Sequence, residues 1–117
     1  MKSSAEEIKL MCLDLFTSKT IFNNCSVDFI NRYKQLYCNQ VVLSVLNDHE
    51  LVQTAQLFLD NNLNISIASK QGYMHRNTLI YRLDKIKKII GLDIRNFNEA
   101  VVFENLVLFY DMFAKHN

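Results

Sequence analysis

Between Asn64 and Leu83 the chain reads N-I-S-I-A-S-K-Q-G-Y-M-H-R-N-T-L-I-Y-R-L, and its polar residues are suited to recognising a nucleic acid. His75, Arg76, Asn77 and Tyr81 carry groups that can bond base edges. A guanidinium matches the two acceptors of guanine, and a carboxamide matches the donor and acceptor of adenine. Asn64, Ser66, Thr78, Arg82, Lys85 and Lys88 are of the types that hold phosphate oxygens. Together they point to sequence-selective binding of double-stranded DNA. Catalysis has no such footing, because the chain offers no paired carboxylates, Cys/His set or glycine-rich phosphate loop. The three cysteines, Cys12, Cys25 and Cys38, form no CxxC pair and read as reduced core thiols. Neither a metal nor a cofactor is expected.

Such side chains need a rigid support, and the same stretch supplies a helix-turn-helix pattern. A short helix starts near Asn64, a tight turn falls at Gly72-Tyr73-Met74, and a second helix begins near His75 and stops at Gly91. At about 100° per residue, Leu79, Leu83, Ile86 and Ile90 fall within roughly 40° of one another and face the core. Asn77, Tyr81, Lys85 and Lys88 then point outward. Arg76, Ile80 and Lys87 line one flank, and His75, Arg82 and Ile89 the other. On that flank Arg82 could equally pair with a carboxylate such as Asp60.

Charge is distributed to match. Formal net charge is only +1, yet from Lys70 to Arg95 seven Lys or Arg stand against two Asp, leaving six basic and ten acidic residues elsewhere. A basic reading element on an acidic body attracts DNA without making the whole surface adhesive.

The remaining sequence is helical in pattern. There is no Pro, only Gly72 and Gly91, and half the 117 residues are apolar. The expected fold is all-α, a bundle of five to six helices containing the helix-turn-helix. A first helix is expected from Ser3 or Ser4 to about Phe16. A second runs from Ser26 to about Leu46, bent near Cys38-Asn39-Gln40. A third is capped by Asn47 with Glu50 and ends near Asp60. The turn from Asp60 to Asn64 holds residues that tolerate left-handed backbone. Asn96 with Glu99 should cap a final helix rich in Val, Leu and Phe. That helix places Val102, Leu106, Phe109 and Phe113 on one side, a candidate dimer surface. No apolar run is long enough for a membrane span and no signal peptide is legible, so a cytoplasmic chain is expected.

A family resemblance adds to this. Phe58-Leu59-Asp60-Asn61, Asn64-Ile65-Ser66, His75-Arg76-Asn77-Thr78-Leu79-Ile80-Tyr81-Arg82-Leu83 and Gly91-Leu92-Asp93 follow one another here. This order resembles the C-terminal helix-turn-helix domain of PucR-type transcriptional regulators, over roughly Glu50 to Phe113. The resemblance implies a DNA-binding domain at residues 50–117, preceded by a two-helix extension at 1–49 that is too short for the sensory region of typical relatives. It also implies transcriptional regulation, with no small-molecule effector legible. One such module rarely covers enough DNA for specificity, so a homodimer reading two half-sites is expected. Two positions depart from the pattern: Ser69 stands where Ala is usual, and Gly72 where an apolar residue is usual. Gly72 is expected to leave a gap under the turn and to put Tyr73 in left-handed backbone. The competing reading is a protein-interaction module that keeps the fold and acts on a partner regulator.

Overall fold

The computed structural model describes residues 39–111, together with Asp28, Asn31 and Gln35, and residues 39–111 fall within one compact unit, Gln35–Asn117. Residues 39–111 form five helices and no strand: α1 (Gln40–Leu46), α2 (His49–Asp60), α3 (Ile65–Gln71), α4 (Arg76–Ile90) and α5 (Phe97–Phe109); Asp28, Asn31 and Gln35 are also helical. The all-α expectation holds. The helix expected from Ser3 or Ser4 to Phe16 lies outside the described residues, as does most of the stretch from Ser26 to Cys38.

Each helix starts where a polar side chain catches an N–H that the first turn leaves unpaired. Asn39 accepts from Val41 at 2.8 Å, Asp48 from Leu51 at 3.2 Å, and Asn64 from Ile67 at 2.9 Å. Asn96 accepts from both Asn98 and Glu99, at 3.0 and 3.3 Å. Two expectations change here. The helix expected to bend near Cys38–Gln40 instead starts afresh: Asn39 has extended backbone and its carboxamide caps α1. The cap of α2 is Asp48 rather than Asn47, because Asp48 reaches the third N–H of the helix. Asn47 closes α1 and accepts the Tyr110 hydroxyl.

The ends of α2 and α3 share one geometry. At the end of α2, Asn62 N–H bonds Leu59 O and Leu63 N–H bonds Phe58 O. At the end of α3, Tyr73 N–H bonds Lys70 O and Met74 N–H bonds Ser69 O. This is the Schellman arrangement, whose residue after the cap takes left-handed backbone. Asn62 (φ 58°) and Tyr73 (φ 49°) fill that place, the latter as expected. Gly72 itself has φ −90°, so it does not serve the turn through backbone freedom. It leaves no gap either. A Cβ there would stand 2.3 Å from Leu57 Cδ2, so the missing side chain is what lets α3 close on α2. Gly91 is the opposite case, with φ 76° and open space around its Cα.

The core joins Val45 of α1, Leu51, Ala55 and Phe58 of α2, Ala68 of α3, and Leu79, Leu83 and Ile86 of α4. Ile94 and the α5 residues Ala100 and Phe103 complete it. Helix α4 packs against α1, α2 and α3. Val45 makes α1 part of this packed unit, so the unit extends upstream of residue 50. On α5 the inward stripe is Ala100, Phe103, Leu106 and Phe109. Of the side expected to form a dimer surface, Leu106 and Phe109 are instead buried and Val102 is 47 % exposed, because the helix turns Leu106 and Phe109 into the core with Phe103. Phe113 lies outside the described residues.

Candidate nucleic-acid interface

The stripe expected to anchor α4 does so: Leu79, Leu83 and Ile86 are buried, and Ile90 is half-buried at the last turn. Burying such side chains contributes about 1.5–3 kcal/mol each, which fixes the rotation of the helix about its axis. The opposite face is therefore equally determined. Asn77, Tyr81, Lys85 and Lys88 are all exposed, as is Arg76 in the first turn.

His75 is the N-cap of α4, and its Nδ1 accepts from Asn77 N–H at 3.1 Å. A neutral imidazole that accepts at Nδ1 carries its proton on Nε2, so His75 presents a single outward donor. Thr78 is half-buried at the third position of the helix. Asn64 and Ser66 are exposed at the start of α3. The Asn64 oxygen is used by its cap, which leaves its NH2 as the group able to bond a phosphate. Ser66 offers its hydroxyl, while its carbonyl accepts from Ser69 Oγ at 3.0 Å. That bond satisfies the hydroxyl which replaces the usual Ala.

Arg82 sits differently from the other cations. Its Nη1 donates to Thr54 Oγ1 at 3.0 Å and reaches Met74 Sδ at 4.0 Å, while Nη2 stands 3.6 Å from Glu50. The carboxylate it meets is Glu50, not Asp60, whose Oδ1 accepts from Gln56 at 2.8 Å. Glu50 is mostly exposed, so that ion pair is weak. The bond to Thr54, 1 % exposed, is the stronger tie, since a buried hydroxyl needs a partner. Arg82 thus holds α4 to α2 and to the turn. Thr54 went unnoticed in the sequence, although its signal was there: a polar residue in the apolar spacing Leu51, Ala55, Phe58 marks a buried hydrogen bond.

Two further cations are engaged beyond the end of α4. Arg95 bonds Asp84 at 2.7 Å and Asp93 at 2.8 Å, and Lys87 lies 3.7 Å from Asp93. The hydrogen bond from Arg95 holds the Asp93 carboxyl below its ordinary range against a smaller opposing effect of burial. The bond to Asp93 likewise raises the Arg95 guanidinium. Of the seven basic residues from Lys70 to Arg95, four (Lys70, Arg76, Lys85 and Lys88) have no ion pair among the described residues.

No group of three or more His, Cys, Asp or Glu suited to a metal occurs among the described residues. No described helix is long and apolar enough to cross a membrane. A cleft of about 410 Å³ is lined by Leu46, Val52, Val107 and Tyr110 among others, and takes nothing from α3 or α4.

Comparison with known proteins agrees with this geometry. Residues 51–105, which run from α2 into α5, match the PucR C-terminal helix-turn-helix domain. The chain is 37 % identical over 49 residues to the purine catabolism regulatory protein of Bacillus subtilis (strain 168), covering 42 % of this chain and 9 % of that protein. It is 39 % identical over 54 residues to the DNA-binding transcriptional activator AdeR of the same organism, covering 44 % and 13 %. It is 36 % identical over 56 residues to the carbohydrate diacid regulator of Escherichia coli (strain K12), covering 48 % and 14 %. The matched part is thus less than a fifth of each relative's length. No solved structure matches the chain significantly. The capped α3, the Schellman turn and the anchored α4 all lie within residues 51–105, the segment that is similar to the PucR C-terminal helix-turn-helix domain.

Proposed function

We propose that this chain binds double-stranded DNA sequence-selectively through α4 and regulates transcription, working in the cytoplasm and not as an enzyme. One observation carries the reading. Asn77, Tyr81, Lys85 and Lys88 lie exposed on the face of α4 opposite the buried Leu79, Leu83 and Ile86, and Arg76 is exposed on its flank in the first turn. A helix held by one face and polar on the other can lie in a major groove with its first turns nearest the bases. His75, Arg76, Asn77 and Tyr81 read base edges. Asn64, Ser66, Thr78, Lys85 and Lys88 hold phosphates, and Arg82 sets the angle of the helix on the scaffold more than it touches DNA. The DNA-binding domain proposed at residues 50–117 then works with α1 as part of its support.

The chain acts as a homodimer on two half-sites. On α5, Phe97 is 70 %, Val101 43 % and Val102 47 % exposed, an apolar surface that a second copy would cover. Twofold pairing would set two α4 helices about 34 Å apart, one DNA turn. Selection of binding sites from random duplex DNA tests both parts at once. A recovered inverted repeat with half-sites one turn apart is the expected result. A single half-site would remove the dimer. No enriched sequence would leave the partner-protein reading.

A further inference from the structure

Three described residues other than glycine have positive φ: Asn62, Leu63 and Tyr73. Left-handed backbone costs a residue with a Cβ roughly 1–2 kcal/mol, least for Asn, whose short side chain bonds locally. Asn62 is therefore of a suitable type, and Leu63 is offset by packing against the core. Tyr73 has neither compensation. It is 100 % exposed, and its hydroxyl bonds nothing among the described residues. Its neighbour Gly72, with φ −90°, does not carry the left-handed position itself. Nothing within the fold accounts for a tyrosine here.

The position does suggest an account. Tyr73 stands two residues before His75, the cap of the helix that carries the reading residues. Its backbone is held by Tyr73 N–H to Lys70 O at 3.2 Å and Met74 N–H to Ser69 O at 2.9 Å. Met74 packs against the core and lies beside Arg82. The backbone that carries the phenol is thus fixed, so contact would cost side-chain freedom alone. We propose that Tyr73 donates its hydroxyl to a phosphate at the rim of the groove that α4 enters. This rests on the DNA reading of α4. A residue outside the helix lies toward the groove edge, where phosphates stand rather than base edges. Residues held in sparsely populated backbone by the structure around them cluster at binding sites.

The full chain, with Tyr73→Gly and Tyr73→Phe, is measured against two probes: a duplex recovered by selection and a scrambled duplex of equal length. Tyr73→Gly should melt higher than wild type yet bind both duplexes about tenfold more weakly. The salt slope should not change, since a neutral hydroxyl releases no counterion. Tyr73→Phe should melt like wild type and lose most of the same affinity. Unchanged binding by Tyr73→Phe overturns the hydroxyl contact, and a lower melting point for Tyr73→Gly overturns the premise of uncompensated backbone. A wild-type chain that holds neither duplex removes the DNA reading itself, and this contact with it.

Discussion

Arg76 at the start of α4 and the cations Lys87 and Arg95 at and beyond its end carry charge of the same sign and use it in opposite ways, while Lys88 stays unpaired among the described residues, like Arg76. At the N-terminal end Arg76 is exposed with no ion pair among the described residues, beside exposed His75 and Asn77. At the C-terminal end Lys87 faces Asp93, and Arg95, just beyond the helix, bridges Asp84 and Asp93. Between them Arg82 is turned inward onto Thr54. A surplus of five positive charges in the sequence is therefore not five charges free to meet DNA. Where a carboxylate lies within bonding distance, the cation braces the fold. Where none does, it is free for a ligand.

The largest expected effect contrasts Arg76 with Arg95. Arg76→Ala should weaken binding to a selected duplex by about 1–3 kcal/mol and relax preference at one base pair. It should also lower the log–log salt slope by about one, and leave the melting temperature unchanged. Arg95→Ala should lower the melting temperature and leave the slope nearly as it was. Anisotropy titrations at several salt concentrations read both, and equal slopes for the two variants would erase the distinction between the ends.

Next comes Arg82. Its removal strands the Thr54 hydroxyl in the core, so Arg82→Ala should lose about 1–2 kcal/mol in urea denaturation. The salt slope of the folded variant should match wild type. A slope reduced by one with stability intact would instead return Arg82 to the phosphate contacts first expected of it.

The glycines that cap the ends of α3 and α4 make a smaller contrast, each substitution by Ala costing about 1 kcal/mol. At Gly91 the cost is left-handed backbone, and at Gly72 it is the clash with Leu57. Leu57→Ala should therefore relieve Gly72→Ala and have no influence on Gly91→Ala. A double-mutant cycle with no coupling at Gly72 would contradict the close approach of α3 to α2.

The smallest effects are on pH dependence, and they have opposite signs. Asp93 has a folded pKa below its unfolded one, so its contribution is present above the ordinary carboxylate range and is lost as pH falls through the folded value. Arg95→Ala should flatten that acid limb. Glu104 on α5 is raised, first by burial and then by repulsion from Asp60, against a hydrogen bond from Gln56. Its Oε2 is buried with no hydrogen-bond partner among the described residues. The folded state thus holds the Glu104 proton more tightly, and stability falls as pH rises from the ordinary carboxylate range through the raised value. Glu104→Gln should stabilise the chain at neutral pH and remove that fall, which melting curves from pH 4 to 8 would read.

Much of the fold could be read before any coordinates, and for local reasons. Asn64 and Asn96 signal helix starts because short polar side chains reach freed N–H groups from extended backbone. Leu79, Leu83 and Ile86 recur at helical spacing, so their burial and the exposure of Asn77, Tyr81, Lys85 and Lys88 follow together. Asn39 and Asp48 were harder. Each stands beside another plausible cap or inside a longer helical pattern, and small differences in local geometry decide between them.

The sequence by itself determined the helix-turn-helix, the direction of the exposed polar face of α4 and the left-handed backbone at Tyr73, because periodicity and turn chemistry act within a few residues. Only the tertiary structure decided which cations stay free. Arg82 meets Thr54 from 28 positions away, and Gly72 is needed because Leu57 of another helix occupies the space of its Cβ. On α5 it likewise decided that Ala100, Phe103 and Leu106 turn inward while Phe97, Val101 and Val102 stay exposed. A helix apolar on every side carries no internal preference for one face, so the neighbouring helices choose.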